Sequence, residues 1–154
     1  MIEVGEKAPP FTGKDQNGNK VALKDYKGKK LAIYFYPKDD TPGCTKQACN
    51  LRDNWSDLIK NNVSVIGVSA DSVESHDKFA NKYDLPFPLL ADTDKKVLNA
   101  YGAWGEKNMY GIKRMGIKRT TFLVDESGVV VHVFKRPKTD NHTAEILAKF
   151  DIAS

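Results

Sequence analysis

Leu31-Ala-Ile-Tyr-Phe-Tyr-Pro-Lys-Asp-Asp-Thr-Pro-Gly-Cys-Thr-Lys-Gln-Ala-Cys-Asn-Leu-Arg52 begins as an unbroken apolar and aromatic run and ends in a helical pattern. Leu31 to Tyr36 is short, lacks polar alternation and is stopped by Pro37, which reads as a strand buried on both faces. From Thr45 to Asn61, apolar residues fall at Leu51, Trp55, Leu58 and Ile59, offsets of four, seven and eight that line one face of an amphipathic helix. A buried strand, a Pro-Gly turn and then a helix is the opening unit of an α/β fold.

The flanking sequence continues that alternation. Val63 to Ser69 is a second buried strand. Asp71 with Glu74 suggests a helix cap ahead of Phe79, Ala80 and Tyr83, and Leu85-Pro-Phe-Pro88 ends that helix. Asp92 to Tyr101 carries a further short helix, and Gly102 to Lys118 is a Gly-rich basic stretch expected as a solvated loop. Thr120 to Asp125 and Val129 to Phe134 pair through Ser127-Gly128, and Asn141 to Phe150 is a last helix. Upstream, Thr12 to Asp15 and Lys20 to Leu23 flank Asn17-Gly18, a favoured hairpin turn pair. The expected architecture is one α/β domain over 1–154: a central mixed β-sheet flanked by helices, with an N-terminal β-hairpin extension.

Composition fits that expectation. At 154 residues and 17.2 kDa the chain can build a core without disulfide staples. With 40% hydrophobic and 10% aromatic residues it is too apolar for a disordered chain, and its mean hydropathy is −0.50. No apolar run approaches the roughly 20 residues of a membrane helix, so no membrane role is expected. No export signal is visible from Met1 to Lys7, so the expected compartment is the cytoplasm. The net charge of +4 is too mild to mark a nucleic-acid protein.

No GxGxxG, Walker loop, HExxH or GxSxG motif is present, which leaves the two cysteines, Cys44 and Cys49, as the chemical feature. Cys44 falls in the first turn of the helix, where free backbone N–H groups and the positive end of the dipole favour a thiolate. Thr41, three residues earlier, can aim its hydroxyl at the same spot. In an intact helix, residues five apart have Cα atoms about 8.7 Å apart and point about 140° apart. A disulfide wants Cα atoms about 4.4–6.8 Å apart. Either the two cysteines never pair, or the helix unwinds when they do. Zinc would need four ligands, and His76, His132 and His142 are scattered, so no metal or other cofactor is expected.

Pro37-x-x-x-Thr41-x-x-Cys44 resembles the active-site signature of peroxiredoxins, and Cys49 after Gln47 and Ala48 resembles the peroxiredoxin Q, or bacterioferritin comigratory protein, branch. The similarity spans nearly the whole chain, through Gly5-x-x-Ala-Pro-x-Phe11, Tyr34-Phe-Tyr-Pro37, Val65-Ile-Gly-Val-Ser69, Phe87-Pro-Leu-Leu-Ala-Asp92 and Arg119-Thr-Thr-Phe-Leu-Val-Asp125. The resemblance implies a thioredoxin-like fold and a thiol peroxidase acting on hydrogen peroxide and organic hydroperoxides. It implies Cys44 as the peroxidatic cysteine and Cys49 as the resolving one, joined as an intramolecular disulfide. It implies Thr41 and Arg119 as donors to the sulfur and the peroxide, Pro37 as a shield over the pocket, and thioredoxin, or glutaredoxin, as reductant. Gln47 stands where the family commonly has Glu. Residues 50–154 hold no cysteine to bridge two subunits, which favours a monomer.

Two other functions compete. One is a general dithiol-disulfide oxidoreductase. The other is a basic nucleic-acid binder or holdase using Trp104 to Arg119, where Lys107, Lys113, Arg114 and Lys118 mix with Trp104, Met109 and Tyr110. A solvated loop bordering the active site is the simpler role for that stretch.

Overall fold

The structure, a computed structural model, describes residues 1–150. It opens with β1 (Thr12–Lys14) and β2 (Lys20–Ala22), a hairpin whose Gly18 takes the left-handed φ of 77° that only glycine adopts freely. The order then runs β3 (Lys30–Phe35), α1 (Pro42–Asp53), α2 (Trp55–Lys60), β4 (Val63–Ser69), α3 (Val73–Tyr83), β5 (Leu89–Ala91) and α4 (Lys96–Tyr101). It closes with β6 (Trp104–Met109), β7 (Ile112–Ile117), β8 (Thr120–Val124), β9 (Val130–Phe134) and α5 (His142–Lys149). Seven strands form one sheet in the order β2-β1-β5-β4-β3-β8-β9. β3, β4 and β5 are parallel, while the hairpin and β8–β9 add antiparallel edges.

β3 lies inside the sheet, and its side chains alternate between two cores, as the two-residue strand period requires. Leu31, Ile33 and Phe35 join Phe11, Tyr101 and Phe122 on one side. Ala32, Tyr34 and Tyr36 join Cys44, Leu51, Phe79 and Ile146 on the other. Each large apolar side chain buried this way is worth roughly 1.5–3 kcal/mol over exposure. The second core contains Cys44 itself and seats α1, α3 and α5 above the sheet.

Four local expectations are corrected. The helix drawn over Thr45 to Asn61 starts at Pro42, whose fixed φ suits a first helical position, and breaks at Asn54. There the Asn54 amide donates to the Asn50 carbonyl at 2.8 Å and the backbone leaves helical geometry (φ −110°, ψ 19°). β5 has no sequence signal, because three residues directly after Pro88 are too few to show a periodicity. The cap of α3 is Ser72, which accepts the Ser75 N–H at 3.1 Å; Asp71 turns away toward Asp39. The basic stretch expected as a loop is a two-stranded ribbon, β6–β7, turning at Tyr110-Gly111 with φ of 54° and 79°. Tyr is not a residue that announces such a turn.

Candidate active site

The site lies past the carboxyl end of β3, where open α/β sheets place ligands. The chain leaves β3 at Phe35, loops through Pro37 to Thr41, and enters α1 at Pro42. Thr41 is the N-cap, with extended backbone (φ −96°, ψ 155°), and its carbonyl accepts the first helical bond from Thr45 at 2.8 Å. Cys44 is thus the third helical residue, among the N–H groups that have no partner within the helix. It is 1% exposed.

β8 brings the guanidinium. Phe35 pairs with Thr120, which sets Arg119 level with the end of β3 and beside the start of α1. Arg119 Nη2 donates to Cys44 Sγ at 3.2 Å, and its Nη1 donates to Gln47 Oε1 at 2.7 Å. Gln47 follows Cys44 by three residues, the spacing that stacks side chains on one helix face. It is fully buried, and among the described residues its Nε2 has no partner. A Cβ on Gly43 would lie 3.2 Å from Arg119 Nη2, so this position keeps the guanidinium's approach open. Burial first, and then the charge of Cys44, push the Tyr34 hydroxyl well above the usual phenol range.

The structure brings Cys44, Arg119 and Gln47 together. Thr41 caps the same helix, but its hydroxyl donates to the Lys38 carbonyl at 2.9 Å rather than to the sulfur. Pro37 is half-buried in the loop between β3 and α1. Cys49 lies in the same unbroken helix as Cys44, and both are free thiols. Burial pushes the Cys49 thiol up, opposed by nearby Arg52 and aided by Asp53.

A polar network that motif reading missed anchors the loop. Asp39 Oδ1 accepts the Tyr36 hydroxyl at 2.5 Å, and its Oδ2 meets Ser75 Oγ at 2.8 Å and His76 Nδ1 at 2.7 Å. The other ring nitrogen of His76 meets the Leu90 carbonyl at 3.0 Å. A carbonyl only accepts, so Nε2 donates to Leu90, and Nδ1 shares its short bond with the Asp39 carboxyl. Asp71 takes the Asp39 N–H at 2.9 Å. Outside, Asp40 pairs with Lys82 at 2.8 Å and accepts the Tyr83 hydroxyl at 2.9 Å, which hold its carboxyl below the ordinary range. Asp39, Asp71 and His76 each offer an atom within 4.8 Å of the others, as metal ligands would. These donors and acceptors already satisfy one another, so the cluster is complete as a loop anchor. Its members are scattered in sequence from residue 36 to 90; only the sheet assembles them.

The AhpC/TSA family profile matches residues 4–133. The chain is 53% identical over 148 residues to a putative peroxiredoxin bcp of Coxiella burnetii, covering 96% of this chain and 98% of that one. It is 46% identical to peroxiredoxin Bcp of Escherichia coli, over 95% of this chain and 94% of the relative. The fold superposes on a peroxiredoxin Q cysteine variant from Xylella fastidiosa with a TM-score of 0.90 at 32% identity, covering 98% and 96% of the two chains. It superposes on the bacterioferritin comigratory protein of Xanthomonas campestris, studied for alkyl peroxide reduction, with a TM-score of 0.86 at 37% identity, covering 92% and 90%. With its mixed sheet, its thiol beside a guanidinium and these relatives, the chain belongs to the AhpC/TSA family, among the thioredoxin-fold thiol peroxidases of the peroxiredoxin Q/Bcp group.

Proposed function

We propose that Cys44 reduces hydrogen peroxide and organic hydroperoxides, that Cys49 resolves the product within the same chain, and that thioredoxin, with glutaredoxin as the other candidate, restores the dithiol. The observation that carries this is the Arg119 guanidinium 3.2 Å from Cys44 Sγ, held from behind by Gln47. The sulfur attacks one peroxide oxygen, an S–O bond forms and the O–O bond breaks. Negative charge grows on the departing oxygen, which leaves as water or alcohol once protonated. A fixed cation with several donors stabilises that charge in a site sheltered from water. Thr41 would exchange its Lys38 partner for a peroxide oxygen, and Pro37 would cover the pocket.

Cys44 is then a sulfenic acid. The Cys49 sulfur attacks it, an S–S bond forms, the S–O bond breaks and water leaves. With the cysteines on one helix, closure needs α1 to unwind but needs no second subunit, which supports a monomer. Two free thiols suit a reducing cytoplasm.

Peroxide-dependent NADPH oxidation with thioredoxin and thioredoxin reductase tests the cycle. Cys44→Ser is expected to abolish turnover. Cys49→Ser is expected to keep one stoichiometric oxidation of Cys44 while thioredoxin recycling fails or slows. Loss of that first oxidation in Cys49→Ser, with Cys44→Ser still oxidised, would reverse the two roles.

A further inference from the structure

The residue after Cys49 joins two helices. Asn50 Oδ1 accepts the Thr143 N–H at 2.8 Å, its Nδ2 donates to the Asp140 carbonyl at 3.1 Å, and its backbone carbonyl accepts the Thr143 hydroxyl at 3.2 Å. The N-cap residue of α5, Asn141, makes no side-chain cap bond, so Asn50 of α1 caps α5 across the interface. Thr143 is 3% exposed, and the neighbouring Leu51 and Ile146 are fully buried in the same core. The two bonds to Thr143 are therefore partly sheltered from competing water, while the contact with Asp140 is exposed.

The position matters because of what α1 has to do. In an α-helix the N–H of residue 50 bonds to the carbonyl of residue 46 and that of residue 49 to residue 45. Bringing two sulfurs five residues apart into bonding range means undoing such bonds and moving one end of the segment toward the other. The Cys44 end is held by Arg119 through the sulfur and Gln47. Once the sulfur is a sulfenic acid, its charge-assisted contact with Arg119 weakens. The Cys49 end stays tied to α5 through Asn50, by contacts that oxidation of Cys44 does not touch.

Resting on the reading that Cys49 resolves Cys44, we propose that Asn50 is a positioning residue for disulfide closure. By tying the Cys49 end of α1 to the first turn of α5, it holds the two sulfurs apart and sets the rate at which the bond forms. A slower closure leaves the sulfenic acid exposed for longer to a second peroxide, which carries it to the sulfinic acid.

The test uses the full chain, one equivalent of hydrogen peroxide, rapid quenching with a thiol-alkylating reagent, and mass spectrometry. Loss of the Cys44 thiol alone reports oxidation, and a Cys44–Cys49 linked peptide reports closure. The ratio of closure rate to oxidation rate is expected to rise roughly five- to tenfold in Asn50→Ala, the effect of losing contacts of ordinary hydrogen-bond strength. Thr143→Val removes only the hydroxyl bond, from the α5 side. It is expected to raise the ratio about two- to threefold, and it decides the matter if Asn50→Ala fails to fold. General damage to α1 would move both rates together, leave the ratio unchanged and overturn the proposal. If the wild-type chain never links Cys44 to Cys49, the resolving assignment itself fails. If it does and the variants keep its ratio, only the role of Asn50 fails.

Discussion

At the residue scale, identical side-chain types do different work according to their partners. His76 donates one ring N–H to the Leu90 carbonyl and meets the Asp39 carboxyl with its other nitrogen, which ties the loop anchor together. His142 faces the Thr121 hydroxyl at 2.8 Å and Glu145 Oε1 at 2.9 Å, so a neutral ring satisfies both by accepting from one and donating to the other. Gln47 orients Arg119, a role readable only from the three-residue offset to Cys44 once the helix is known to begin at Pro42. Cys49 yields a pH prediction. The thiolate is the attacking form, and burial raises this thiol above its ordinary range, so little thiolate exists at neutral pH. Closure of the disulfide should therefore accelerate as pH rises through and beyond the usual thiol range. Quenched-flow closure rates measured against pH check this, and a flat or falling profile contradicts it.

At the element scale, the first turn of α1 is shaped around its neighbour from β8. Gly43 is a poor helix residue, costing roughly 1 kcal/mol against alanine in a helix interior. Its close approach to Arg119 explains its presence. Gly43→Ala should leave thermal stability unchanged or slightly raised, since alanine favours the helix. It should lower kcat/KM for peroxide by on the order of tenfold, because the added Cβ displaces a guanidinium whose placement matters to a fraction of an ångström. Thermal melts and steady-state kinetics on one preparation separate the two effects, and unaltered kinetics would show that Arg119 tolerates displacement.

At the scale of the whole molecule, stability is linked to protons taken up on unfolding. Burial is the main cause that depresses the His142 ring below its ordinary range; Glu145 opposes this and Arg119 adds to it. His132 is depressed in the same direction, first by burial and then by Lys149. An unfolded histidine binds its proton near pH 6.5, whereas these folded rings bind it only at lower pH. Between those values the unfolded state holds more protons, so stability falls as pH falls through about 6.5. The urea midpoint should drop on going from about pH 7.5 to about pH 5.5, and the drop should shrink in His142→Gln. An undiminished drop in that variant would assign the effect to other groups.

The strand–turn–helix order, the N-terminal and C-terminal hairpins, and the placement of Cys44 and Cys49 on one helix were legible from the chain alone. Hydrophobic period, turn residues and cysteine spacing are local properties. β5, the β6–β7 ribbon and the break at Asn54 were not, because each depends on a partner strand or a side-chain bond that no local pattern announces. The resemblance to peroxiredoxins pointed to Arg119, but only the register of β8 against β3 sets its guanidinium at the sulfur. The same holds for the Asp39–His76 anchor and the Asn50–Thr143 tie, which join residues 37 and 93 positions apart. Sequence determined the elements and the reactive atoms because those follow from neighbours along the chain. Tertiary structure decided what surrounds those atoms, because hydrogen bonds and charge act through space.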